Sequence, residues 1–231
     1  LAQPTFNWDD VVDVDSLDEG NYTLEVFARD SSNPQNNNTK TTWFYVDKTA
    51  PNMTDVNETG WVEPTPVNYT LTNVQIHTFN FSCNESFVSN AWINFSNSIN
   101  DSLGNSGTFY WWRHTISSEG EFTYTGYCND SAGNSAQTEE WIIRIDLTAP
   151  NVTLISPENN TLNNSANNIT FYYNVSDEYE LVENCSLYLN GVLNQTNSSI
   201  VNDKIGNFTV YEMSNGDYNW TVNCSDYSGN Y

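Results

Sequence analysis

The sequence predicts an all-β fold: tandem Greek-key β-sandwich domains in an elongated array, with the domains at both ends incomplete. Three observations predict it. Apolar and polar residues alternate in short runs, the side-chain period of a half-buried strand. A block of sequence recurs at a spacing near 98 residues, about the length of one sandwich domain. No stretch carries a convincing helical period.

The repeat sets the units. DKTAPNMT from Asp47 returns as DLTAPNVT from Asp146. A second series reads EGNYTLEVFARDSSN from Glu19, EGEFTYTGYCNDSAGN from Glu119 and NGDYNWTVNCSDYSGN from Asn215. Its anchoring Gly20, Gly120 and Gly216 are spaced by 100 and 96 residues. Residues 1–47 are therefore expected to hold the last two strands of a domain, 48–146 a complete domain, and 147–231 a domain without its last strand.

Strand phases follow from parity. The repeated segment places Tyr22, Leu24, Val26 and Ala28 inward in its first copy, and Phe122, Tyr124, Gly126 and Cys128 in its second. The third places Tyr218, Trp220, Val222 and Cys224 inward. A Ser/Asn/Gly turn follows, then a strand: TKTTWFYVD in the first copy and QTEEWIIRID in the second. An earlier strand alternates Phe79, Phe81 and Cys83 with polar neighbours, and its equivalent alternates Ile169, Phe171, Tyr173 and Val175. In CSLYLNGVLNQT from Cys185, the pair Asn190-Gly191 marks a two-residue hairpin turn.

Composition bounds the function. The 231 residues hold 6 Lys+Arg against 29 Asp+Glu, a formal charge of -23. Nucleic acid and anionic membrane surfaces need a basic patch and are excluded as partners. Aromatic residues make up 14% of the chain, more than a disordered polar chain carries. No apolar run approaches the ~18 residues of a membrane helix, so no direct membrane insertion is expected from this segment. No charged-then-apolar leader opens it, and any targeting signal is expected to lie outside it.

Asparagine is the unusual residue. There are 37 Asn with 24 Thr and 23 Ser, and chance placement would give roughly seven Asn-x-Ser/Thr acceptors for N-linked glycan. The sequence has 21. They begin at Asn21, Asn37, Asn52, Asn57, Asn68, Asn80, Asn84, Asn94, Asn100, Asn129 and Asn151. The others begin at Asn159, Asn163, Asn168, Asn174, Asn184, Asn194, Asn197, Asn207, Asn219 and Asn223. Asn80, Asn84, Asn94, Asn168, Asn174, Asn219 and Asn223 fall on the outward parity of their strands, as a glycan requires.

These motifs carry a family resemblance. The pattern GxYTLxVxAxD, turn, strand, DxTAP resembles the tandem immunoglobulin-like repeats of bacterial and archaeal surface proteins. NCSLYLNGVLNQT followed by DYNWTVNCSDYSGN resembles such repeats in archaeal surface proteins in particular. The resemblance implies an immunoglobulin-like fold and a heavily N-glycosylated cell-surface or filament protein. It also implies the bridges. Cys83 on strand B and Cys128 on strand F take the places of the inter-sheet disulfide. Cys185 on strand C and Cys224 on neighbouring strand F are expected to form a second one, in an oxidising extracellular setting.

YTLEVFARD also resembles a cadherin strand F, in which the residue matching Asp30 binds calcium with an acidic linker. The linkers here, DKTAPN and DLTAPN, lack that acidic cluster, so calcium is not expected. No metal site and no cofactor beyond N-linked glycan is expected. Asp30, Asp130 and Asp226 are expected to cap the following turns through backbone N–H groups. The acidic residues 9–20 read as a solvated edge.

Catalytic signals are sparse. His77 is expected to face inward on its strand, and His114 ends the aromatic run YWWRH. Neither has triad or metal-ligand spacing. Glu139 and Glu140 would alternate faces of a strand, and Trp111 and Trp112 would place one ring inward and one in solvent. No enzyme is expected. The leading reading is a structural stalk, fibre or surface filament. The alternatives are an adhesin that recognises sugar or protein, for which the sequon-free stretch Leu103 to Tyr127 is the candidate face, and an appendage of an extracellular enzyme. Sandwiches left open at both ends predict self-association, by further repeats or by strand addition between subunits.

Overall fold

A computed structural model describes residues 14–32, 34–54, 59–164, 167–179 and 182–231. The lead-in at 6–8, the sequon at Asn57 and residues 9–13 of the acidic stretch lie outside the described residues. The described fold is all-β, and its helical content is one 3-10 turn, Val14–Ser16.

In chain order the strands are β1 (Gly20–Arg29), β2 (Asn37–Val46), β3 (Trp61–Val62), β4 (Thr70–Thr72), β5 (Ile76–Ser82) and β6 (Val88–Phe95). Then come β7 (Ser98–Asn100), β8 (Gly104–Ser106), β9 (Phe109–Thr115), β10 (Gly120–Asp130), β11 (Ser135–Gln137) and β12 (Trp141–Ile145). The last six are β13 (Asn151–Ser156), β14 (Ile169–Ser176), β15 (Val182–Leu189), β16 (Val192–Asn197), β17 (Ile205–Val210) and β18 (Trp220–Asp226).

The central sandwich packs the sheet β3-β5-β9-β8 against β4-β12-β10-β6-β7, with β11 also on β10. Sequence parity decides what lies between them. Phe79 and Phe81 of β5, Ile93 of β6, Tyr124 and Cys128 of β10, and Ile143 and Ile145 of β12 are all essentially inaccessible. Each large apolar side chain so buried is worth about 1.5–3 kcal/mol. Trp61 lies edge-on to Tyr124 at 5.0 Å, and its indole N–H donates to the Glu139 carbonyl at 2.8 Å. Gly126 is required here: a Cβ would stand 2.9 Å from the Phe81 ring.

The third unit repeats the plan with two three-stranded sheets, β13-β14-β17 and β16-β15-β18. Phe171, Tyr173, Val175, Leu187, Phe208 and Val222 fill it. The Asn190-Gly191 turn joins β15 to β16 with φ of 52° and 77°, the left-handed pair that a tight hairpin demands. In the central unit β12 lies on the outer side of β10. Among the described residues no strand lies on the equivalent side of β18.

Three expectations are corrected. Tyr22, Leu24, Val26 and Ala28 do not sit in a core: β1 and β2 form a two-stranded hairpin, and Leu24 and Val26 are exposed. No second sheet covers that hairpin among the described residues. Tyr218 precedes β18 and is exposed, not inward. The segment QTEEWIIRID is not one strand. It breaks at 138–140, where buried Thr138 accepts from the Gly126 N–H through its hydroxyl at 2.9 Å, so Glu139 and Glu140 occupy a gap between β11 and β12.

Candidate functional surfaces

Two features recur from unit to unit: outward asparagines and a carboxylate cluster at each junction. Of the twenty described sequon asparagines, thirteen are exposed, seven are half-buried and none is buried. At Asn80, Asn94, Asn129 and Asn174 the side-chain carbonyl oxygen is buried without a hydrogen-bond partner. The Asn80 amide also donates to the Glu63 carbonyl at 3.0 Å.

The junctions are built from three separated segments each. Carboxylate oxygens of Asp47, Glu85 and Asp130 lie within 4.8 Å of one another, as do those of Asp146, Asp177 and Asp226. The two triads occupy matching places in the repeat: the end of the preceding domain, the loop after β5 or β14, and the end of β10 or β18. Asp130 accepts from the backbone N–H groups of Ala132, Gly133 and Asn134 at 2.8–2.9 Å, and Asp226 from those of Gly229 and Asn230 at 2.7 and 2.9 Å. Asp30 caps its own turn through the N–H groups of Ser32 and Asn36.

One asparagine then ties each turn to the linker. The Asn134 amide donates to Asp130 Oδ2 at 2.8 Å and to the Asp47 carbonyl at 3.2 Å. The Asn230 amide donates to Asp226 Oδ2 at 2.9 Å and to the Asp146 carbonyl at 3.1 Å. Sequence reasoning missed these two, although each closes a copy of the repeated segment. Their recurrence in register was the available signal.

The electrostatics of the clusters differ. Burial pushes the Asp130 carboxyl up, but the hydrogen bonds from Asn134, Gly133 and Ala132 outweigh it and hold the group below its ordinary value. Burial pushes Asp146 up, and the neighbouring Asp226 and Asp177 charges add to this against the hydroxyl donated by Ser228. Three hard oxygen donors this close suit a divalent cation. The expectation of no calcium looked for an acidic cluster inside the linker. The fold instead assembles one from three segments, which removes that ground.

The remaining singled-out residues do not converge. His77 is half-buried, with Nε2 at 2.7 Å from the Val74 carbonyl. His114 stacks on Trp112 at 4.1 Å, and burial holds its imidazole below the ordinary value. Trp112 packs against the core, whereas Trp111 is 37% exposed and lies across Gly104, where a Cβ would fall 2.4 Å from the ring. The four cysteines form the expected bridges. Cys83–Cys128 spans the two sheets with Cα atoms 6.3 Å apart, and Cys185–Cys224 joins directly facing residues of β15 and β18 at 4.0 Å.

This architecture is that of tandem immunoglobulin-like sandwiches. Residues 150–231 match the family model of a bacterial Ig domain, and residues 6–90 match that of a bacterial Ig-like domain of group 3. The second match runs from the hairpin into the central sandwich. No curated protein matches the chain. Among solved structures, the fibronectin(III)-like modules of Clostridium thermocellum CbhA are similar over 74% of this chain and 86% of theirs, at 11% identity and TM-score 0.39. A chimeric titin Z1Z2 tandem is similar over 69% of this chain and 93% of its own, at 13% identity and TM-score 0.31. Bacterial Ig domains and two disulfides suggest a secreted or surface protein. Among the described residues no helix is long and apolar enough to cross a membrane.

Proposed function

We propose that the chain is a structural, non-catalytic extracellular element: a stalk, fibre or surface-filament segment of immunoglobulin-like domains under a dense N-linked glycan layer. One observation carries this reading. The sequence arranges 21 acceptors, about threefold more than composition alone supplies, and none of those described is buried. Glycan on outward strand faces would solvate the sandwiches and keep sheet edges from pairing promiscuously. The outer edge of β18 is the exception, and it would serve self-association by accepting a strand from a further repeat or a neighbouring subunit.

The test is intact mass and glycopeptide analysis of native material before and after glycan removal. The expected result is occupancy at most of the acceptors, least at Asn184 and Asn223, where the middle residue is a disulfide-bonded cysteine. Recovery of most of these asparagines unmodified would overturn the reading.

The second reading, an adhesin, draws on the exposed Phe109 and Trp111 of β9, within the one long stretch that has no acceptor. A glycan array probed with wild type and with Trp111→Ala tests it. It stands only if binding is seen and is lost in the variant.

A further inference from the structure

The outward sheet faces carry large aromatic rings that belong to neither core, and these rings stand among the glycan acceptors. Trp92 of β6 and Tyr127 of β10 face each other in register on the outer face of the central sandwich. Their rings stack face to face at 5.3 Å with planes 3° apart, a two-ring platform in which each ring covers one face of the other. Asn94 follows Trp92 by two residues and Asn129 follows Tyr127 by two, so each acceptor shares its aromatic's face at about 7 Å along the strand. Because the strands are antiparallel, the two acceptors stand at opposite ends of the platform: Asn94 faces Thr125, and Asn129 faces Asn90.

The third unit repeats the arrangement on its other sheet. Tyr172 of β14 is 41% exposed, sits two residues before Asn174, and faces Asn207 of β17 in register. The carbonyl oxygens of Asn94, Asn129 and Asn174 are buried without partners. A buried unpartnered carbonyl is costly, and such a group normally has a donor beside it.

We propose that Trp92 with Tyr127, and Tyr172 separately, are seats for the chain's own N-linked sugars. They hold the first residues of the glycans on Asn94, Asn129, Asn174 and Asn207 against the ring faces that no other side chain covers. The proposal rests on the glycoprotein reading. A pyranose presents a C–H face whose partial positive charge suits the negative face of an aromatic ring. A free saccharide offers the same chemistry. A sugar linked one strand step away acts at the high effective concentration of a tethered group and takes the seat first.

The test uses native glycosylated chain, with Trp92→Val/Tyr127→Thr and Tyr172→Thr variants from the same host; valine is used at 92 because a threonine there would make Asn90 a new acceptor. Valine and threonine keep strand propensity at these outward positions. Glycopeptide mapping first establishes occupancy at the four acceptors. NMR of the glycan should show sugar C–H resonances moved upfield by ring currents, and each variant should lose its own set with occupancy unchanged. Thermal unfolding supplies a double-mutant cycle with Asn94→Gln, Asn129→Gln and Asn174→Gln. The Tm loss on removing the aromatic should be about twice as large or more with the sugar present as without it. Equal losses, or unshifted resonances on occupied sites, overturn the seats and leave the glycoprotein reading intact. Unmodified asparagine at all four positions overturns both there. Saturable binding of free oligosaccharide to these rings in the fully glycosylated chain overturns the tethered source in favour of an external ligand.

Discussion

Asp130 and Asp226 each brace with a side chain a turn that the backbone also closes, Asp130 N–H to the Asn134 carbonyl at 3.0 Å and Asp226 N–H to the Asn230 carbonyl at 3.1 Å. Several N–H groups converge on one carboxylate that is almost inaccessible to solvent. Replacing Asp226 or Asp130 by Ala leaves those donors unsatisfied and should cost about 1–3 kcal/mol each, read as a lower Tm. The pH dependence has two signs. Hydrogen bonds from Ser32 and Asn36 hold the Asp30 carboxyl well below its ordinary value, and Asp130 is lowered as well. Their contribution is present above the unfolded carboxylate pKa and is lost as pH falls through the lower folded value. Asp146 is raised, so its charge opposes folding at neutral pH, and this opposition is relieved as pH falls through its raised value. Asp146→Asn, produced in a host that adds no N-linked glycan because the change creates an acceptor ahead of Leu147 and Thr148, should therefore raise Tm at pH 7 in the presence of a chelator. A lower Tm there would show that hydrogen bonding by the carboxylate outweighs the repulsion within the triad.

At the scale of elements, the contrast between β10 and β18 is instructive. Both carry the same inward pattern and the same turn, yet β10 is flanked by β12 and β18 is not. Ile143 and Ile145 of β12 complete the central core, while at the third unit a cleft of about 1230 Å³ opens between Leu154, Ile169, Phe171, Met213 and Trp220. A peptide spanning residues 138–146 should bind there and raise the Tm of the chain, and a peptide with both isoleucines changed to Asp should not. The bridge beside it matters more for an open sandwich. Replacing Cys185 and Cys224 by Ala should cost about 4 kcal/mol in the chain-entropy model for a loop of this length. The β15–β16 hairpin and the inward faces of β5, β10 and β14 were legible in the sequence, because parity and turn chemistry are local; both bridges came from the family resemblance. The junction triads were not, because Asp47, Glu85 and Asp130 come from three segments and only the fold brings them together. The break at 138–140 was also invisible: Thr138 reads as a strand residue until its hydroxyl is seen taking the place of a ladder partner.

For the molecule as a whole, the question is whether the units stand in line or fold back on one another. The second linker is short, from the end of β12 at Ile145 to the start of β13 at Asn151, and the first leads from the end of β2 at Val46 to a bridge between Asn52 and Asn84. Each is also pinned: Asn134 and Asn230 hold the linker carbonyls of Asp47 and Asp146, and Ser228 donates to Asp146 Oδ2 at 2.8 Å. Like charge on neighbouring outward faces opposes folding back. Sequence and junctions together lead us to expect a rod of serial domains. A compact globule of 231 residues would have a radius of gyration of about 17 Å. Small-angle scattering of the deglycosylated chain should give a value well above that, with a distance distribution skewed to long vectors. The double variant Asn134→Ala/Asn230→Ala should broaden that distribution, since the domains stay folded while the joints loosen. A wild-type radius near the compact value would overturn the array, and an unchanged distribution in the variant would show that the asparagine ties do not hold the joints.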